Sequence, residues 1–375
     1  MVVPALSPLD YFRTHFGEVS DPRNPSQITY PLDELLFLVL CAVISDCNTW
    51  VEIEDFGLDQ LDWLRNYYPY EEGIPRPGSL NVVISMIDHQ VFARHFSAWV
   101  SSWIDLSTNG VINLDGKTSR GSKGSNGQKA VHLVNAFASE LQMVLGQVAT
   151  EEKSNEITAI PKLLKLLSIK GSTITIDAMG TQKLIAEQII EAQADYVLAL
   201  KENHPEFLQE VRQSFERLEP TDTNEQTEKN KSRLETRKTE VLNDWSWVCP
   251  QTQDQWAGLK QMIRVHRRRE NMNTGKVETE TSYYITSRMD SAQSLGKIIR
   301  SHWGIENRLH WRMDVLFRED HDRKRAQNSA ANFSTFRKMA QNLLLNNQTR
   351  KASILRKRKW AARDTSFREE IIQGM

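Results

Sequence analysis

The spacing of apolar residues changes near residue 110. Before it, apolar side chains recur at intervals of three and four. Leu35, Leu36, Leu38, Val39 and Leu40 load one segment, and Phe92, Phe96, Trp99, Val100 and Trp103 form a stripe in another. This spacing predicts helices, broken at the turn-rich stretch Gly73, Pro75, Pro77 and Gly78. After residue 110 the pattern predicts strands at 111–115, 130–138 and 142–148, then a helix at 155–167, a strand at 173–177, a helix at 182–192 and a strand at 196–200. Three strands followed by alternating helix and strand imply an α/β fold with a mixed sheet flanked by helices.

Residues 205–282 are polar, with a charged stretch at 221–238 and β-like pieces at 261–266 and 281–286 around a turn at Asn273 to Gly275. They read as a β-rich insertion with its own small sheet. Residues 291–318 predict one long helix, and further helix follows to about Asn346. The expected domains are a helical N-terminal accessory domain (1–105), the first part of a catalytic core (106–204), the insertion (205–287), C-terminal helices of the core (288–346) and a basic tail (347–375).

The longest apolar run, Leu35 to Ile44, is too short to cross a bilayer, for which about 20 residues are needed. The three cysteines form no CxxC pair, which fits a reducing cytoplasm and excludes a zinc knuckle. The net charge of −1 hides an asymmetry. Residues 1–110 carry fifteen acids, five Arg and no Lys, whereas 297–363 carry seventeen Lys or Arg and five acids. The C-terminal half is either a polyanion-binding surface or the counter-face of the acidic N-terminal half.

Three carboxylates stand out. Asp115, in INLDGKTSRGS, closes an apolar strand and precedes Gly116 and Lys117. Asp177, in TIDAMGTQ, has the same setting. Each is either a turn-capping Asp or a ligand-binding carboxylate at a strand's C-terminal end. Glu306, in HWGIENRLHWRMDVLFRED, falls on a helical face with Ile299, His302, Trp303, Leu309, His310, Met313 and Phe317. Burying that carboxylate requires a cation, either a metal ion or a salt-bridge partner such as Arg300 or Arg308. Grouped acids suit phosphodiester chemistry, in which two Mg²⁺ or Mn²⁺ ions stabilise the attacking and leaving oxygens. His302 and His310 lack zinc-site spacing and read as packing or DNA-contacting residues.

With these motifs in order, and with FGEVSDPRNPSQITYPLDELL, TEEKSNEITAIPKLL and ADYVLALKENHPEFL, the chain resembles the H-repeat-associated transposases, insertion-sequence transposases with a DDE triad. The resemblance runs nearly end to end. It implies a ribonuclease H-like core, a triad of Asp115, Asp177 and Glu306 that is both catalytic and metal-binding, and a β-rich insertion before the Glu. Related insertion-sequence transposases often carry a Tyr, an Arg and a Lys around that Glu. Ile299, His302 and Met313 stand there, so those roles are left unassigned.

The function so implied is metal-dependent cleavage and strand transfer of an insertion sequence, with double-stranded DNA as partner and a homodimer on DNA. Candidate DNA contacts are Lys117, Arg120, Lys201, Asn307 and Arg308, and the tract Arg356, Lys357, Arg358 and Lys359. Arg323, Lys324 and Arg325 are further basic candidates. The alternatives are a nuclease of the same fold without strand transfer, and a transposase-derived DNA-binding protein without catalysis. The acidic N-terminal region is expected either to read element ends or to dock on the basic C-terminal half.

Overall fold

A computed structural model describes residues 6–104, 110–124, 129–150 and 156–375. The expected domain boundary at 105/106, the start of the helix expected at Asn155, and residues 151–155 of TEEKSNEITAIPKLL lie outside the described residues. Six helices come first: α1 (Pro8–Gly17), α2 (Leu32–Ile44), α3 (Trp50–Asp59), α4 (Leu61–Leu64), α5 (Pro77–Met86) and α6 (His89–Trp103). Then follow β1 (Val111–Thr118), β2 (His132–Ala138), β3 (Met143–Thr150), α7 (Glu156–Leu166), β4 (Thr173–Ile176), α8 (Lys183–Glu191), β5 (Asp195–Leu200) and α9 (Pro205–Arg217). The rest comprises β6 (Asp222–Asn230), β7 (Arg233–Leu242), α10 (Pro250–Asp254), β8 (Gln261–Asn271), β9 (Val277–Thr286), α11 (Ala292–Ile305), α12 (Trp311–Val315), α13 (Ser329–Asn346), α14 (Ile354–Ala361) and α15 (Thr365–Gln373). The chain order from β1 to β5, three strands and then helix, strand, helix, strand, is the order that the apolar spacing predicts. Among the described residues no helix is long and apolar enough to cross a membrane.

The chain divides into two units. The first comprises 1–106, 116–168 and 306–375, and the second 107–115 and 169–305. In the first unit, capping fixes where helices begin: Ser7 with Asp10 and Thr49 with Glu52 form capping boxes, and Asp88 caps α6. Helix α2 is apolar on nearly every side, with Leu36, Phe37, Leu38, Cys41 and Ala42 each at 0 % exposure, so it must be enclosed. Helix α13 packs on α2, α5, α6 and β3. Arg358, fully buried in α14, donates to Val43 O and pairs with Asp46 at 2.9 Å. Arg368 donates to Gln60 Oε1, and the Trp63 indole donates to Glu369. The acidic N-terminal and basic C-terminal segments thus share one core, and the expected tail is two packed helices.

In the second unit β1, β4 and β5 are parallel, and the order runs β1-β4-β5-β9-β8-β7-β6. The expectation that the insertion makes its own sheet is wrong. Strand β9 pairs antiparallel with β5, from Val197↔Thr286 to Leu200↔Tyr283, so the insertion extends the existing sheet. The charged stretch expected at 221–238 is the β6–β7 hairpin. Helix α11 covers this extension: Ala292, Leu295, Ile298 and Ile299 pack with Val197, Val241, Ile263 and Val265.

Candidate active site

Strands β1 and β4 run parallel in the register Asn113↔Thr175 and Leu114↔Ile176. The next residues are Asp115, inside β1, and Asp177, just past β4, so the two stand side by side where the parallel pairing ends; β1 runs on to Thr118, so Asp115 does not close its strand as expected. Neighbouring strands lie about 4.8 Å apart, and residues two apart share a face. Asp115 therefore shares a face with Asn113, and Asp177 with Thr175. Both aspartates are half-buried. Asp177 also caps its turn, accepting from the Gly180 N–H through Oδ1 at 3.1 Å, and its Oδ2 makes no hydrogen bond among the described residues. Of the two readings of Asp177, the turn cap is the one formed here, and it occupies only Oδ1.

A polar network lies on the same face. Asn113 is fully buried; it donates from Nδ2 to Ser301 O at 2.9 Å and accepts at Oδ1 from the Thr175 hydroxyl at 2.8 Å. Thr175 Oγ1 also lies 2.8 Å from His302 Nδ1. The threonine has one proton, and Asn113 Oδ1 can only accept it, so His302 Nδ1 must be the donor. Neutral His302 is therefore the Nδ1–H tautomer, with its lone pair on Nε2. Burial pushes the imidazole down to about 4, against the opposing pull of Asp177, so it is neutral near pH 7. Asn113 and Thr175 were missed in the sequence reading. Their signal is a polar residue two positions before each Asp, on the same face by alternation.

Glu306 opens a π-helical turn, Glu306–His310, between α11 and α12, in the first unit. The predicted apolar stripe around it does not form. Glu306 is exposed and Trp303 is 45 % exposed, whereas Leu309, Met313 and Phe317 are at 0 %. A π turn takes more residues per turn than an α-helix, so it rotates the following apolar positions away from the 3.6-residue register. Arg300 pairs with Glu228, not with Glu306.

The other candidates divide by burial. Arg120, Lys201, Asn307, Arg308, Arg356 and Lys359 are exposed. Lys117 is 9 % exposed and bonds Glu319 Oε2 at 2.8 Å and Asp314 Oδ1 at 2.6 Å. Lys357 is buried on the carbonyls of Leu344 and Asn347, and Arg358 on those of Val43 and Leu316. These three cations are committed to the protein interior and offer nothing to a phosphate, unlike the sequence expectation. Lys324 is likewise buried, donating to Asn48 O and Asp322. Beside Lys117, Gly116 meets a buried pair, the His132 imidazole and the Glu156 carboxylate, 2.6 Å apart.

Among the described residues no three His, Cys, Asp or Glu side chains are grouped as a cation site. Two carboxylates on adjacent parallel strands nevertheless suit a Mg²⁺-like ion, which takes one or two carboxylates and keeps several waters. Asp115 and Asp177 fit as a partial ligand set.

The chain matches the Transposase DDE domain family over residues 83–343, most of its length and all three acids. It belongs to that family. Residues 13–100 of this DDE transposase family member match the DDE_Tnp_1-associated family, which takes in helices α2 to α5. It is 39% identical over 377 residues to YncI of Escherichia coli O157:H7, provisionally named a transposase, covering 97% of this chain and 94% of that protein. It is 36% identical over 367 residues to YhhI of Escherichia coli K12, provisionally named an H repeat-associated transposase, covering 96% and 97%. A solved piggyBac transposase synaptic complex with hairpin DNA is similar at TM-score 0.45 and 11% identity, over 98% of this chain and 82% of that one. The family assignment does not depend on that likeness.

Proposed function

We propose that this DDE transposase family member cleaves the ends of an insertion sequence and joins them to target DNA, acting as a dimer on double-stranded DNA in the cytoplasm. Asp115, Asp177 and Glu306 would hold two Mg²⁺ or Mn²⁺ ions. The single observation that supports this most is the β1–β4 register, which puts Asp115 and Asp177 side by side where the parallel pairing of the two strands ends. The ions, when bound, supply charge stabilisation at the attacking and leaving oxygens of a phosphodiester.

The chain's own residues would do the rest. Asn113 and Thr175 stiffen the strand pair behind the aspartates. His302 presents Nε2 as an acceptor next to Asp177. Glu306 is exposed on a π turn, a form of helix frequent at functional sites. Exposed Arg120, Lys201, Asn307, Arg308, Arg356 and Lys359 are the proposed phosphate contacts.

A DNA-binding protein without catalysis is the second reading, favoured by the absence of a three-ligand group among the described residues. A strand-transfer assay separates the possibilities. Purified protein receives Mg²⁺, a DNA end with a free 3′-hydroxyl and a target duplex. Joined product supports the transposase; hydrolysis without joining points to a nuclease; bound but unaltered DNA points to the silent binder.

A further inference from the structure

Residues 1–110 carry fifteen acids against five arginines, so this segment should repel DNA. Four of the five arginines have partners in the first unit. Arg23 is paired with Asp21, Arg65 with Asp62 and Arg76 with Glu54, and Arg13 donates to Tyr67 O. Arg94 is the exception: it is exposed on α6 and has neither a hydrogen bond nor an ion pair among the described residues.

Arg94 lines a cleft of about 250 Å³ between α6, β3 and α7. Lys162 and Lys165, one turn apart on α7, line the same cleft; both are exposed, and neither has an ion pair among the described residues. Among the described residues no carboxylate lines it, and Ala93, Val148 and Leu166 contribute apolar floor. The acid that feels Arg94 is Asp88, already committed to the α6 N-cap through the Gln90 and Val91 N–H groups. Three cations without an ion pair among the described residues, Arg94 from the acidic segment and two lysines from α7, form a local positive site around one concavity.

We propose that this cleft is a docking site for the DNA sugar-phosphate backbone, with Arg94, Lys162 and Lys165 each facing a phosphate. The inference rests on the DNA-directed reading above and adds a surface to it. A cleft of this size falls below the roughly 300–1,000 Å³ of small-molecule sites, which disfavours a whole nucleotide as occupant. A backbone strand needs only phosphates on the rim and a sugar against the floor. Such contacts carry no sequence information; they position the duplex. They would let α6 of the acidic segment lie beside DNA, with the lysines of α7 offsetting the repulsion.

Each phosphate contact contributes about −0.9 to the slope of log K against log salt. The test is a salt titration of binding to a short mixed-sequence duplex without divalent metal. Full-length wild type is compared with the triple variant Arg94→Gln, Lys162→Gln, Lys165→Gln and with Lys162→Arg, Lys165→Arg. The triple variant should show a slope shallower by about 2.7 and affinity at least 10-fold lower, while the Arg variant keeps both. Should the triple variant misfold, the single Arg94→Gln and Lys165→Gln variants serve, each with a slope loss of about 0.9. An unchanged slope in a folded variant overturns the inference and leaves the transposase reading standing. Binding of inorganic phosphate at the cleft without any change in the DNA slope also overturns it, by assigning the site to a small anion. Wild type that binds no duplex at any salt removes the proposed function and this site with it.

Discussion

Thr175 and His302 are joined by a 2.8 Å hydrogen bond in which the imidazole must be the donor, because the threonine proton is already given to Asn113. The bond ties the C-terminal part of α11 to the strand that ends in Asp177. It fixes the ring tautomer, and with it the direction of the Nε2 lone pair. ¹⁵N NMR should show His302 as the Nδ1–H form at pH 7. Thr175→Val keeps the β-branched shape and removes the acceptor. It should cost about 1–2 kcal/mol and mix the tautomers. A pure Nε2–H signal in wild type would refute the network.

The same histidine gives the fold a pH dependence. Its ordinary value near 6.5 is pushed down to about 4, chiefly by burial. As pH falls from 6.5 to 4 the unfolded chain takes up the proton first, so native stability drops across that window. The shift corresponds to about 2–3 kcal/mol by pH 4. Urea unfolding at pH 7 and pH 4.5 measures the drop. His302→Gln should reduce it, and an identical drop in the variant would assign it to other groups.

Lys117 is a structural cation and should behave as one on mutation. Glu319 is fully buried; burial alone would raise its carboxyl, but Lys117, Lys338 and Arg337 hold it well below the usual range. Lys117→Met strands that charge and should destabilise the protein by about 3–5 kcal/mol. Adding Glu319→Gln should recover part of the loss. Thermal unfolding reads both. A Lys117→Met variant of wild-type stability that had lost only DNA affinity would restore the phosphate role instead.

Gly116 follows Asp115 directly, and a Cβ there would collide with the Glu156 carboxylate and lie 2.5 Å from His132 Nε2. Both neighbours are buried and bonded to each other, so neither yields easily. Gly116→Ala should cost about 1–3 kcal/mol in thermal or chemical unfolding. It should also weaken Mn²⁺ binding by shifting this part of β1. Unaltered stability and Mn²⁺ affinity would show that the strand tolerates movement.

The elements from β1 to β5 were legible because their apolar residues alternate or recur in blocks bounded by turns. The β6–β7 hairpin was not. Its facing positions are Glu225 and Lys238, Gln226 and Arg237, Thr227 and Thr236, polar on both strands, so they leave no hydrophobic period. Helix α9 was overlooked although Phe207, Leu208, Val211 and Phe215 carry helical spacing, because the surrounding residues are so polar. The tract 356–359 reads as four surface cations, yet a helix turns 100° per residue. Only Arg356 and Lys359 face outward, while Lys357 and Arg358 enter the core. Of the candidate site, the strand before each aspartate was readable, but the continuation of β1 past Asp115 and the pairing with β4 were not, since register is a property of two strands. The exposed position of Glu306 was hidden by a π turn, which no regular periodicity announces.

Nicking of DNA that carries the ends flanking the chain's own gene tests the role of the two neighbouring aspartates most directly. With Mg²⁺ or Mn²⁺, wild type should nick at the element boundary, and Asp115→Ala and Asp177→Ala should each lower the rate by at least about 100-fold while leaving duplex affinity and thermal stability near wild type. Nicking at an undiminished rate in either folded variant would contradict the assignment of the catalytic site.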